Sequence, residues 1–206
     1  MDDPRKNLFY EPKNGYDRIS REEHIAAEDY CRGYMEYLND SRTEREAVVN
    51  AIKLAREKGF VEYVPGMALT PGMKLYSCNR GKALMLAVIG QRSLADGVVI
   101  AGAHVDAPRL DLKQIPMYES DELCYFRTHY YGGIKKYQWV TIPLELHGVV
   151  VLKSGETVDV RIGREPGEPR FVITDLLPHL AKDQMKKSMT EGITGEALNI
   201  LIGSVP

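Results

Sequence analysis

In the stretch "VVIAGAHVDAPRLDLK", Val98 to Lys113, an apolar run ends at His104, and an aspartate, Asp106, stands two residues further on. A neutral imidazole is a good ligand for zinc and other borderline metals. A ligating histidine usually gives its second ring N–H to a carboxylate, which fixes the tautomer and raises basicity. Residues two apart in an extended segment project to the same side, so His104 could bind a metal while Asp106 braces it. A second reading stays open: the two could form an ordinary hydrogen-bonded pair closing a buried strand. A zinc site takes three or four protein ligands. The downstream histidines His129, His147 and His179 lie in no HExxH-like spacing. Spacing alone therefore assembles no complete metal site.

The elements that must position this pair are legible in part. Pro4, Pro12, Asn14 and Gly15 make the first twenty residues read as an extended arm. "SREE", Ser20 to Glu23, is a capping box that predicts a helix running to about Asn39. "SRTE", Ser41 to Glu44, repeats the signal, and a second helix follows through Ala47, Val48, Ala51, Ile52 and Ala55 until Gly59 ends it. The two form a helical hairpin with one apolar face. "GMKLYSC" and "KALMLAVIG" flank "NRG", Asn79 to Gly81, and predict a β-hairpin. "GVVIAGA", Gly97 to Ala103, reads as a strand buried on both faces. Helices packed against such strands imply an α/β layered domain, and the C-terminal end of its strand is where a crevice carries chemistry.

Beyond Asp106 the pattern changes. Pro108 and Pro116 bracket "RLDLKQI", and short strands follow, with "SGE", Ser154 to Glu156, as the turn between "LHGVVVL" and "TVDVRIG". One amphipathic helix is expected at "TDLLPHLAKDQMKK", Thr174 to Lys187. A boundary near Ala107 divides the chain into an α/β section, 1–107, and a β-rich section, 108–206. The last residues, "GEALNILIGSVP", end in an apolar stretch, which suggests a chain cut in mid-protein.

Composition limits the function classes. A net charge of −2, with both signs mixed along 206 residues, offers nothing to attract nucleic acid or an anionic membrane. No apolar run approaches the roughly 20 residues that span a bilayer, and the charged N-terminus lacks the apolar core of a signal peptide. Cys31, Cys78 and Cys124 are odd in number and far apart, so they read as small hydrophobes in a reducing, cytoplasmic setting.

"GAHVDAPRLDLK" resembles the first metal-site segment of the aspartyl aminopeptidase and vacuolar aminopeptidase I family, dizinc exopeptidases in which a strand ends in His-x-Asp-x-Pro-x-Leu-x-x-Lys. "YYGGIKKYQW", Tyr130 to Trp139, is similar to the family's Tyr-Gly-Gly segment followed by a Trp. "LHGVVVLKSG", Leu146 to Gly155, is similar to the hairpin after it, and "LLPHLAKD", Leu176 to Asp183, to its Pro-His-Leu segment. Order and spacing agree over nearly the whole chain. The resemblance implies that His104 ligates one of two zinc ions and that Asp106 orients it. It also implies that His179, in a smaller dimerisation domain, reaches a neighbouring subunit's active site and steadies the oxyanion there. His129 and His147 match nothing catalytic. Where the family commonly carries Asp-Arg after the Trp, this sequence has Thr141 and Ile142. That departure leaves an acidic-residue preference unassigned and suggests a divergent, bacterial-type branch.

The family's bridging Asp, paired glutamates and last Asp and His ligands have no counterpart here. The chain therefore resembles the N-terminal portion of a zinc aminopeptidase acting on peptides with a free N-terminus. The first section of the catalytic domain comes first, then an incomplete dimerisation domain. Such a portion is expected to be inactive alone, and to bind zinc weakly at best. The family commonly builds dimers, and dodecamers from them. A non-catalytic assembly module with a residual His-Asp pair is the alternative. A hydrolase of another dizinc family, such as a deblocking aminopeptidase, fits less well, because the Tyr-Gly-Gly and Pro-His-Leu segments argue against it.

Overall fold

The computed structural model describes residues 8–10 and 12–204. Pro4 of the expected arm and the last two residues of the terminal apolar stretch lie outside them. The chain forms two compact units, Met1–Gln91 and Arg92–Pro206. Both mix short sheets with helices or turns. No helix among the described residues is long and apolar enough to cross a membrane. The three cysteines are free thiols; Cys31 is exposed and the other two half-buried.

In the first unit, α1 (Arg21–Asp40) starts at the expected capping box. Ser20 accepts from the Glu23 N–H while Glu23 accepts from the Ser20 N–H. For α2 (Glu44–Glu57) the box sits two residues later than expected, on Thr43 and Glu46. Ser41 instead caps the end of α1, its N–H bonding to the Leu38 carbonyl. Both spacings satisfy the same pattern. The later one prevails because the Glu46 carboxylate collects the N–H groups of both Arg42 and Thr43. Gly59, at φ +83, ends α2, with the Phe60 N–H reaching back to Ala55 O and the Gly59 N–H to Arg56 O. The hairpin is tied by the Tyr37 hydroxyl donating to Ala47 O (3.0 Å) and by Asn50 donating to Asp40 O (2.9 Å). The strands β1 (Val61–Glu62), β2 (Lys74–Asn79) and β3 (Ala83–Val88) form a sheet in that order, β1 parallel and β3 antiparallel to β2. At the β2–β3 turn, Arg80 and Gly81 carry the positive φ (55 and 69). Ala47, Val48 and Ala55 of α2 are buried, as are Leu75 and Tyr76 of β2. The Arg56 guanidinium donates to the buried Tyr76 hydroxyl at 3.0 Å.

The second unit contains β4 (Arg109–Ser120), β5 (Leu123–Tyr131), β6 (Leu146–Val151), β7 (Thr157–Ile162) and β8 (Ile200–Gly203). Strands β4, β5 and β8 form one antiparallel sheet in that order, and β6–β7 is a separate two-stranded ribbon. The turn of that ribbon is the expected one, with Gly155 at φ +88. The core collects Val140, Ile173, Ile193, Leu198 and Ile200, with Phe126, Trp139 and Phe171 among the side chains against it. The buried Thr128 hydroxyl donates to the Leu198 carbonyl.

Two expected elements do not form. Gly97–Ala103 is not a strand and is exposed along its length, with Val99 103% and Ile100 83% accessible. A strand buried on both faces exists only if neighbours pair with it and cover it, and among the described residues none does. Thr174–Lys187 is not a helix either; it makes turns and one short 3-10 segment, Gln184–Lys186. Pro178 disfavours helical backbone at the residue before it and brings no N–H. Leu176, Leu177 and Leu180 are more than half exposed, so no buried face compensates.

After β7 the chain closes a tight loop. Gly163 has φ +99, and a Cβ there would lie 3.1 Å from the Pro169 carbonyl oxygen. One oxygen of Glu168 accepts the N–H groups of Gly163, Arg164 and Glu165 at 2.9 to 3.0 Å. The donors, Glu165 and Gly163 foremost, hold its carboxyl below the usual carboxylate range. The folded pKa thus lies below the unfolded one. The resulting stabilisation is fully present above the unfolded value and is lost as pH falls through the folded value. Glu168→Gln should flatten that acid limb. Unfolding curves of wild type and variant that stay parallel across the acid range would contradict this.

Candidate metal-binding segment and its relatives

His104 and Asp106 lie in a stretch without regular structure that runs from Gly97 to the start of β4. The structure brings the pair together. Nδ1 of His104 is 2.8 Å from the Asp106 backbone carbonyl oxygen and 3.2 Å from its carboxylate Oδ1. Two acceptors at Nδ1 call for a proton there, and in the neutral imidazole that leaves the lone pair at Nε2. The His104 side chain is 80% exposed and that of Asp106 42%. The pair is hydrogen-bonded, with the imidazole exposed and the carboxylate half-buried.

His179 sits on an exposed turn rather than a helix, and among the described residues no hydrogen bond or ion pair joins it to His104 or Asp106. His129 stacks on Tyr130, and His147 bonds to Glu145 at 2.9 Å. Among the described residues, no group of three or more His, Cys, Asp or Glu side chains is placed to hold a metal. The donor chemistry at Nε2 of His104 thus fits one position of a zinc site, and the remaining ligands are not gathered beside it.

Just downstream of the pair, Arg109 and Lys113 are each held by an ion pair. Arg109 donates from Nε to Asp111 Oδ1 at 2.7 Å, and its guanidinium lies 4.2 Å from the centre of the Tyr131 ring. The Arg-x-Asp spacing in a strand was the available signal; Tyr131 becomes visible only through the β4–β5 register, which pairs it with Arg109. Lys113, the last residue of the motif, bonds to Glu196 at 2.7 Å, and that contact holds the Glu196 carboxyl below its usual range.

The profile of the family described as "Aminopeptidase I zinc metalloprotease (M18)" matches residues 37–204. The chain belongs to the M18 aminopeptidase family. This M18 chain is 45% identical over 206 residues to the "Probable M18 family aminopeptidase 1" of Clostridium acetobutylicum, an alignment covering 97% of this chain and 44% of that protein. The crystal structure of the M18 aminopeptidase from Thermotoga maritima superposes with a TM-score of 0.86 at 38% identity, covering 96% of this chain and 43% of that one. The dodecamer of mApe1 from Saccharomyces cerevisiae shares the fold, with a TM-score of 0.60 at 18% identity over 88% of this chain and 49% of that one. The M18 chain spans less than half the length of the bacterial relatives it matches. Its mixed helix-and-strand architecture with small sheets is that of M18 structures, and the family is one of zinc metallo-aminopeptidases.

Proposed function

We propose that the chain is the N-terminal portion of a dizinc aminopeptidase that releases N-terminal residues from peptides in a reducing, cytoplasmic setting. The observation that carries the reading is the state of His104: its Nδ1 is engaged by Asp106 and its Nε2 is open, on a segment that matches the family's motif. In this reading 1–107 belongs to the catalytic domain and 108–206 to an incomplete dimerisation domain. The intact enzyme works as a homo-oligomer built from dimers, up to a dodecamer.

Bound zinc would supply Lewis-acid activation of a water for attack on the first peptide carbonyl. The chain's own part is narrower. His104 offers Nε2 as a ligand. Asp106 keeps the proton at Nδ1 and holds the ring's direction. His179, from the neighbouring subunit, donates to the oxyanion that develops on the peptide carbonyl. The other ligands and the general base are supplied by residues beyond this chain, so the chain alone is inactive.

The test is peptidase activity against a panel of dipeptides and aminoacyl reporters, with and without added zinc, for the 206-residue chain and for the full-length polypeptide that carries it. Zinc-dependent release of the N-terminal residue is expected from the full-length protein and none from the chain alone. A folded, metal-loaded, inactive full-length protein would favour the assembly-module reading. Zinc-dependent activity in the purified chain would overturn its assignment as an incomplete enzyme.

A further inference from the structure

We propose that Arg109 is a positioning residue for His104, setting the tautomer and direction of the imidazole through the two carbonyls that follow it. The proposal rests on the reading of His104 as a zinc ligand for its functional meaning, though not for its geometry. No helix or strand holds residues 97–107, and the His104 ring is 80% exposed. Its orientation is therefore settled where the segment joins β4. Two consecutive carbonyls matter there. That of Asp106 accepts from His104 Nδ1 at 2.8 Å, and that of Ala107 accepts from Arg109 Nη1 at 3.4 Å. The Ala107–Pro108 peptide has no N–H, so its carbonyl is the only hydrogen-bonding handle by which it can be held.

The guanidinium that holds it is itself fixed. Asp111 grips Nε at 2.7 Å, and the Tyr131 ring lies 4.2 Å away. The Arg109 side chain is 27% exposed, against 80% for His104. Gly132, at φ +78, packs beside Pro108: a Cβ on it would sit 3.6 Å from Pro108 Cα. Thus the exit from the His104–Asp106 segment is clamped to the end of β5 by a planar group that stacks and bonds at once. Lysine, a single point of charge without a planar fork, can make only part of that set of contacts at once.

The first readout needs no metal. Long-range proton–nitrogen spectra of the 206-residue chain, with the His104 signals assigned by their loss in His104→Ala, report which ring nitrogen carries the proton. The expected result is the Nδ1–H tautomer in wild type, a shift to mainly Nε2–H in Arg109→Ala, and an intermediate position in Arg109→Lys. The second readout is zinc affinity of the full-length protein by chelator competition. Arg109→Ala should weaken it about tenfold, the low end of the effect of groups that support a ligand, with the circular dichroism spectrum unchanged. If Arg109→Ala does not fold, Asp111→Ala and Tyr131→Leu each remove one side of the clamp and should shift the tautomer in the same direction. A wild-type tautomer retained in Arg109→Ala, or in both substitutes, overturns the proposal, as does an Nε2–H tautomer in wild type. A tautomer shift in Arg109→Ala combined with unchanged zinc affinity in His104→Ala upholds the positioning role and refutes the ligand reading instead.

Discussion

Replacing His104 with alanine in the full-length polypeptide is expected to lower peptidase activity by well over 100-fold, beyond the roughly 10–100-fold that loss of a group supporting a metal ligand costs. Asp106→Asn should cost about tenfold, at the low end of that range. The asymmetry follows from the geometry. Alanine removes the nitrogen that would meet the metal. Asparagine keeps an oxygen near Nδ1 and leaves untouched the closer acceptor, the Asp106 backbone carbonyl at 2.8 Å. In the metal-free 206-residue chain, stability should hardly move. The pair is exposed, and substitutions at such sites usually stay within about 0.5 kcal/mol. Kinetic constants of the full-length variants and urea midpoints of the metal-free 206-residue chain decide the matter. An active His104→Ala protein destabilised by more than about 1 kcal/mol would make the pair structural after all.

Leu198→Ala should destabilise the second unit by about 2–5 kcal/mol. Leu198 is fully buried, and Ile173 beside it in the core is 1% exposed. The site has little freedom to collapse into the space left behind. Ile200 begins β8, which is paired to β5, and the Leu198 carbonyl is held by the Thr128 hydroxyl. Trp139 is the sole tryptophan and packs against this same core, so its fluorescence reports unfolding of this unit. Leu94→Ala is the control, because Leu94 is 72% exposed; it should change stability by less than about 0.5 kcal/mol. A Leu198→Ala cost below about 1 kcal/mol would mean that this core does not carry the unit.

What could be read from sequence was what is decided within a few residues. The Ser20–Glu23 box closes on itself, so α1 begins where its four residues say it should. The Ser154–Glu156 turn and its flanking strands needed only Gly155 and two matched apolar runs. The His104–Asp106 contact follows from a spacing of two, and the family from segments in register with it. Tertiary structure decided the rest. Gly97–Ala103 has the composition of a buried strand, but burial belongs to its neighbours, and no partner strand stands beside it among the described residues. Thr174–Lys187 has helical spacing, but without a surface to cover Leu176, Leu177 and Leu180 the break at Pro178 prevails. Arg109 meets Tyr131 only because antiparallel pairing places residues 22 positions apart side by side. Sequence spacing reaches across one turn or one pleat; a clamp built between two strands depends on their register, which the long-range packing sets.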